Sequence, residues 1–335
     1  MTISANNTPT ANETGQNIEF FCDTFTAIKD EIGKMIVGQQ AVVEGVLTAL
    51  CAGGHVLLEG VPGLGKTMLV SAISRSVDLP FSRIQFTPDM MPADIQGASV
   101  LLENENGGHD LTFQPGPIVS NLVLADEINR ATPKTQSALL EVMQEKQVTV
   151  GKRTIKLDEP FCVMATQNPV DQEGTYPLPE AQLDRFLVKL EVGYPTEQDY
   201  HTIIDRTTSG ANIELKAVSN RAELIRMRTI VRNVQVSEAA KAFAIKLVMG
   251  TQPHSQYASS SVNEFVSLGA SPRGIQSLML AAKVIALLDN RFEVIEKDIR
   301  KIAIPVLRHR MVLNFKAQAT GQSADTLIKN LLTGF

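Results

Sequence analysis

Apolar residues Ile18, Phe21, Phe25, Ile28, Ile32 and Met35 recur every three or four positions, the spacing of one buried helix face. Ile36-Val37-Gly38-Gln39 interrupts that pattern, and Ala41 to Ala52 resumes it. Met1 to Gln16, rich in Thr, Asn and Ala, carries neither the basic start nor the apolar block of a signal peptide and reads as a mobile tail. Five short apolar runs have the length of buried strands: His55–Glu59, Arg83–Phe86, Asn121–Ala125, Phe161–Ala165 and Phe186–Leu190. Helical patterns separate most of them, as at Thr135 to Glu145. Strands alternating with helices predict an α/β fold whose parallel sheet is covered on both faces.

Two segments break that rhythm. Ala98–Leu102 and Asp110–Phe113 flank the turn-rich stretch Glu103–Gly108. Val148 and Val150, then Ile155 and Leu157, alternate with polar residues around Gly151-Lys152-Arg153. Both predict β-hairpins inserted into the α/β core. After about Pro195 the strand signal fades. Ala239–Met249, Pro272–Asp289 and Glu296–Val306 read as helices, joined by polar stretches such as Thr207–Asn212 and Thr251–Ser261.

At 335 residues, 44% of them hydrophobic, the chain can hold two domains and a substantial core. No apolar stretch is long enough to cross a bilayer, so no direct membrane insertion is expected. Cys22, Cys51 and Cys162 are widely spaced in apolar contexts and read as reduced core thiols, which makes cytoplasmic residence the default expectation. The net charge is −5, whereas a chain that grips nucleic-acid phosphates usually carries a basic excess. Protein or small-molecule partners are therefore expected, and no nucleic acid. His109, Glu103 and Glu105 have no partner set at metal-ligand spacing.

The chemistry begins at Gly60-Val61-Pro62-Gly63-Leu64-Gly65-Lys66-Thr67, which satisfies G-x-x-x-x-G-K-[ST] at every required position. A strand enters this loop and a helix-forming run, Met68–Ile73, leaves it. That order gathers backbone N–H groups and a helix N-terminus around one point, where an anionic phosphate chain of ATP would sit. Gly60, Pro62, Gly63 and Gly65 shape the loop. Lys66 would reach the β- and γ-phosphates, and the Thr67 hydroxyl would hold Mg²⁺. A bare glycine-rich turn is the alternative, and the agreement of strand, loop and helix speaks against it.

A second signal is Leu122-Val123-Leu124-Ala125-Asp126-Glu127, an apolar strand ending in two carboxylates. Neighbours on an extended strand point different ways, so the two can do different work. Asp126 would help hold Mg²⁺, mostly through water. Glu127 would orient and polarise the attacking water.

With these residues in hand the chain resembles an AAA+ ATPase, specifically one of the MoxR family, over about Val37 to Gly274. Val37-Gly38-Gln39 is similar to the adenine-side segment. Ala165-Thr166-Gln167-Asn168-Pro169 resembles the first sensor, Tyr176–Phe186 a family signature, and Ser271-Pro272-Arg273-Gly274 the second sensor. The resemblance implies that Asn168 contacts the γ-phosphate and the lytic water. It implies that Arg185, beside Asp184 at the start of a strand, is the finger reaching a neighbouring subunit's γ-phosphate, with Arg130 a second candidate. Arg273 is expected to meet the γ-phosphate within its own chain. The implied organisation is a tail (1–17), a nucleotide-binding α/β domain (18–194) and an α-helical lid (195–335). The two hairpins match the family's insertions, which in related rings engage the client. Arg308-His309-Arg310 reads as a solvated helix face, with contact to nucleotide or a neighbour as the alternative.

The function the resemblance implies is Mg²⁺-dependent ATP hydrolysis in a homo-oligomeric, hexameric ring, coupled to remodelling or maturation of a protein client. A von Willebrand factor A domain protein is the partner class the resemblance suggests. Two alternatives stay open. One is a nucleic-acid motor, for which Lys152, Arg153 and Lys156 in one hairpin speak and the acidic whole speaks against. The other is an ATP-operated binding switch, which intact Glu127 and Arg185 make less apt.

Overall fold

The computed structural model describes residues 11–61, 63–103, 109–151, 153–169, 174–208 and 213–335. Helix α1 spans Ala11–Met35 and so begins inside the segment expected to be a tail. Glu13 lies in its first turn, where a negative charge favours the helix dipole. Residues 1–10 lie outside the described residues. Helix α2, Gln40–Ala52, ends where Gly53 takes a left-handed conformation (φ 75°) and its N–H closes back on the last turn.

The α/β part then runs β1 (Val56–Glu59), α3 (Lys66–Ser76), β2 (Phe81–Gln85), α4 (Pro92–Gln96), β3 (Gly97–Glu103), β4 (His109–Pro115) and β5 (Leu122–Asp126). It continues with α5 (Pro133–Glu145), β6 (Gln147–Val150), β7 (Arg153–Lys156), β8 (Cys162–Gln167), α6 (Glu180–Leu183) and β9 (Val188–Glu191). Five strands form one sheet in the order β2-β5-β8-β1-β9, every pair parallel. Alternation along each strand divides its residues between two cores. Val56, Leu58, Leu122, Leu124, Cys162 and Met164 face one, and Leu57, Val123, Ala125, Val163 and Ala165 face the other. The expected doubly covered sheet is what forms. The expected hairpins form as well, β3 with β4 and β6 with β7; the tip at 104–108 and Lys152 lie outside the described residues.

The rest is helical: α7 (Glu197–Thr208), α8 (Arg221–Asn233), α9 (Glu238–Gly250), α10 (Ser260–Phe265), α11 (Pro272–Leu288), α12 (Glu296–Leu307), α13 (Phe315–Ala319) and α14 (Ala324–Gly334). Many starts are set by local chemistry. The side chains of Asn220, Ser237, Ser259, Ser271, Asn314 and Ser323 each accept a first-turn N–H. Two ribbons also form, β10 (Gln235–Val236) with β12 (Glu293–Val294) and β11 (Val266–Leu268) with β13 (Val312–Leu313). The helical part does not stand apart. One contiguous core joins α1, α2, α3 and one sheet face to α8, α9, α11, α12 and α14. Among the described residues no helix is long and apolar enough to cross a membrane. All three cysteines are free; Cys51 and Cys162 are buried, and Cys22 is partly exposed.

The segment Arg308-His309-Arg310 corrects the expectation of a solvated face. It is a 3-10 turn in which His309 and Arg310 are buried. Arg310 Nε donates to Asp184 Oδ1 at 2.8 Å, and its terminal nitrogens reach Phe186 O (2.6 Å), Leu187 O (3.2 Å), Val306 O and Ser277 Oγ (2.9 Å). A buried guanidinium is tolerated because one carboxylate and several carbonyls neutralise and saturate it. Asp184 therefore pairs with Arg310, not with its neighbour Arg185.

His55, just before β1, is also buried. Its Nδ1 accepts the Val163 N–H at 3.0 Å, so the ring proton sits on Nε2 and is donated to Met143 O at 3.1 Å. Burial pulls its pKa down to about 4.

Arg310→Met should leave Asp184 without its cationic partner and cost about 3–5 kcal/mol, read as a lower urea midpoint at unchanged slope. His55 is neutral when folded, while the unfolded chain takes up its proton below about pH 6.5. Its contribution to stability is full above that pH and is lost as pH falls towards 4, by at most about 3 kcal/mol. Urea titrations at pH 7 and pH 5 should show that loss, and His55→Asn, weaker at pH 7, should lose less across the same interval.

Candidate active site

The strands that carry the predicted chemistry end at one level. Glu59 pairs with Gln167 across β1 and β8, and Ala125 pairs with Ala165 across β5 and β8. Gly60, Asp126 and Asn168 therefore leave the sheet side by side, and the Gly60 N–H donates to Gln167 O at 3.3 Å.

The loop after β1 is built for close backbone approach. Gly63 and Gly65 have φ of 85° and 75°, which side-chain-bearing residues rarely adopt. Gly60 leaves no room for a β-carbon, which would sit 2.7 Å from Val192 O. Gly65 precedes α3 and brings no side chain to cap it, so the first-turn N–H groups of α3 face the loop. Lys66 and Thr67 open that helix. Lys66 Nζ is folded back on Gly60 O at 2.6 Å. Burial lowers its pKa, and the nearby carboxylates of Asp126, Glu127 and Glu59 oppose that shift. Pro62 lies outside the described residues.

Asp126 is 8% exposed and Asn168 5%. Thr166 Oγ1 donates to Asp126 Oδ1 at 2.6 Å and accepts the Glu127 N–H at 2.8 Å. Glu127 has φ 58°, a left-handed conformation that is uncommon for a residue with a side chain. It turns Glu127 out of the strand line, so the two adjacent carboxylates part company. Glu127 Oε2 accepts from Gln85 Nε2 at 2.9 Å and pairs with Arg130 Nε at 3.0 Å. Arg130 thus engages the carboxylate of its own chain.

A cavity of about 550 Å³ opens beside the loop. Val37, Gln39, Gly63, Leu64 and Gly65 line one side, with Met35 and Ile36 at the end of α1. Tyr194, Pro195, Tyr200, Ile203 and Arg206 line the other. Gln39 Nε2 donates to Leu64 O at 2.9 Å, and Arg206 caps the end of α1 through Gly33 O and Lys34 O. Gly38 has φ 75° and lies against Asp199, where a β-carbon would collide with the carboxylate. A flat, apolar base fits such a space, adjoining the phosphate loop.

Two arginines are elsewhere. Arg185 lies in the turn between α6 and β9, three residues before the strand instead of at its start, and its Nη1 donates to Leu140 O at 2.6 Å. It lines a cavity of about 220 Å³ together with His55, Asp184 and Arg273. His55 precedes β1 and the phosphate loop follows it, so the length of the strand, roughly 15 Å, lies between. Arg273 is therefore not brought to the phosphate loop of its own chain, contrary to expectation. The reason is local: Ser271 Oγ donates to Asp184 Oδ2 at 2.8 Å and accepts the Arg273 N–H at 3.1 Å, which pins the start of α11 to the turn that carries Arg185.

The sequence reading missed Arg83, Gln85, Thr166 and the tyrosines of the base-sized cavity as site residues. A usable signal existed at β2, where Arg83 and Gln85 alternate with buried Ile84 in a strand otherwise read as core.

Comparison with known proteins agrees with this geometry. The ATPase family associated with various cellular activities matches residues 55–188, and the AAA lid domain matches 258–331. The chain is 44% identical to Chaperone MoxR1 of Mycobacterium tuberculosis over 302 residues, covering 90% of this chain and 79% of that protein. It is 44% identical to the uncharacterized protein YeaC of Bacillus subtilis, covering 91% and 92%, and 30% identical to Protein MoxR of Methylorubrum extorquens, covering 87% and 88%. The crystal structure of a putative ATPase from Cytophaga hutchinsonii superposes with a TM-score of 0.88 at 39% identity, covering 95% of this chain and 96% of that one. The two family models and relatives 30–44% identical over nearly the whole chain show that it belongs to the MoxR family of AAA+ ATPases.

Proposed function

We propose that this ATPase works as a homo-oligomeric ring, six copies by family resemblance, that couples Mg²⁺-dependent ATP hydrolysis to remodelling or maturation of a protein client. The observation that carries the reading is the convergence of Lys66, Asp126, Glu127 and Asn168 at the C-terminal ends of the strands while Arg185 and Arg273 sit towards the opposite ends. Each chain then offers a nucleotide site at one end of the strands and two cations at the other for another copy.

In this reading the base enters the cavity between Val37-Gly38 and Tyr194. The glycines of the loop and the first turn of α3 hold the phosphates, with Lys66 leaving Gly60 O to neutralise them. Thr67 and Asp126 would hold Mg²⁺, which would supply charge neutralisation to the phosphates. A hydroxyl and an acidic oxygen are hard donors of the type Mg²⁺ takes, which supports that fit. Glu127, aimed away from Asp126 by its left-handed backbone, orients the attacking water, and Asn168 holds that water against the γ-phosphate. Arg185, leaving Leu140 O, and Arg273 offset the charge that develops on a neighbour's nucleotide. The functional parts proposed are an α/β nucleotide-binding part to about residue 194 and a helical lid from 195. The chaperone name of the Mycobacterium tuberculosis relative supports a protein client. A von Willebrand factor A domain partner and a cytoplasmic location rest on family resemblance and ordinary composition.

Glu127→Gln should bind ATP like the wild type and turn it over at least about a hundredfold more slowly, the scale of a lost general base. Filter binding with radiolabelled ATP and a phosphate-release assay measure the two; normal turnover would assign the water to another residue. Arg185→Ala and Lys66→Ala should each be inactive alone and regain part of the activity when mixed, since one keeps the loop and the other the cation. Mixed assemblies confirmed by mass photometry yet without activity would count against a shared site.

A further inference from the structure

Strand β2 lies at the sheet edge beside β5, with Arg83 opposite Leu124 and Gln85 opposite Asp126. Arg83 and Gln85 are two residues apart and share a face. Arg83 Nε and Nη2 both donate to Asp126 Oδ2, at 3.2 and 2.7 Å. The same Nη2 donates to Gln85 Oε1 at 2.6 Å. That contact fixes the amide: its oxygen faces the guanidinium, so its nitrogen faces Glu127 and donates to Oε2. One guanidinium and one amide thus connect the two adjacent carboxylates, although the carboxylates themselves point apart.

We propose that Arg83 is a resident counter-cation of Asp126 that a Mg²⁺–nucleotide complex must displace. The proposal rests on the reading of Asp126 as the carboxylate on the metal side. A guanidinium and a divalent cation within a few ångströms of the same carboxylate oxygen repel each other strongly. The two partners are unequally free to move. The Arg83 side chain is 47% exposed and has water to swing into, whereas that of Asp126 is 12% exposed and is held at Oδ1 by Thr166. The arginine yields and the carboxylate stays.

The test uses the full chain and a fluorescent ADP analogue, and measures the Mg²⁺ concentration at which tight binding is half complete. Mn²⁺ uptake by electron paramagnetic resonance with unlabelled ADP gives a second readout. Arg83→Gln and Arg83→Ala should both lower the Mg²⁺ midpoint by about tenfold, within the usual span for coupled sites. Gln85→Ala, which leaves the guanidinium on Asp126, should keep a midpoint near that of the wild type. Arg83 is on an exposed edge, and thermal midpoints will verify that the variants fold. A structural ion pair alone would lower the thermal midpoint and leave the metal midpoint in place. Equal metal midpoints in wild type and both Arg83 variants would overturn the proposal with the nucleotide site intact. A wild type whose ADP binding ignores Mg²⁺ would overturn the assignment of Asp126, and the role of Arg83 with it. A Gln85→Ala midpoint shifted as far as that of Arg83→Gln would overturn the assignment of the effect to the Arg83 charge.

Discussion

Glu59 lies beside Gln167, and Ala125 beside Ala165, so three strands running in one direction finish together. That parallel register decides which residues can meet. The phosphate loop, Asp126 and Asn168 come from distant stretches of chain, yet each is the next thing after a strand. A slip of one residue in β5 or β8 would also exchange the residues that face the two cores, so the packing of Leu122, Leu124, Cys162 and Met164 guards the alignment of the site. Apolar burial and catalytic geometry are therefore one constraint here, not two.

The opposite ends of the strands use a different physics. Around Asp184, Arg310 and Ser271 hydrogen bonds link the polar groups to one another, and burial lowers the pKa of Arg310 while Asp184 opposes the shift. Such an ion pair adds little to stability compared with an apolar packing of the same volume, but it specifies geometry, because few arrangements satisfy every donor of a guanidinium. What it specifies is the placement of two further arginines, one on either side of Asp184 and Ser271. At the nucleotide edge, by contrast, Arg83, Gln85 and Glu127 retain access to water and can rearrange.

Much of this was legible in the sequence because it was local. The phosphate loop carries its own strand and helix, and the strand ending in Asp126-Glu127 announces its own termination. The hairpins alternate visibly, and α11 opens with a capping serine and a proline. The losses occurred where meaning depends on a distant partner. Arg310 reads as surface charge until Asp184, far away in the chain, is placed against it. Arg273 reads as a same-chain contact because spacing along the chain cannot say at which end of a sheet a helix begins. Arg83 and Gln85 were absorbed into a strand, since an edge strand next to a polar site looks like an ordinary amphipathic one. The ribbons β10 to β13 are too short for any periodicity to register, and α1 starts among polar residues that favour no particular structure.

The core that runs unbroken from the sheet face into α8, α9, α11 and α12 has a mechanical consequence. Two bodies joined by a thin connection can bend about it, whereas two parts that interlock through Leu190, Val46, Ile285 and Ile302 share one stiffness. Closing on a ligand would require sliding close-packed apolar surfaces past one another, a shear in place of a hinge. Side chains on the surface, such as Arg83, are free of that constraint.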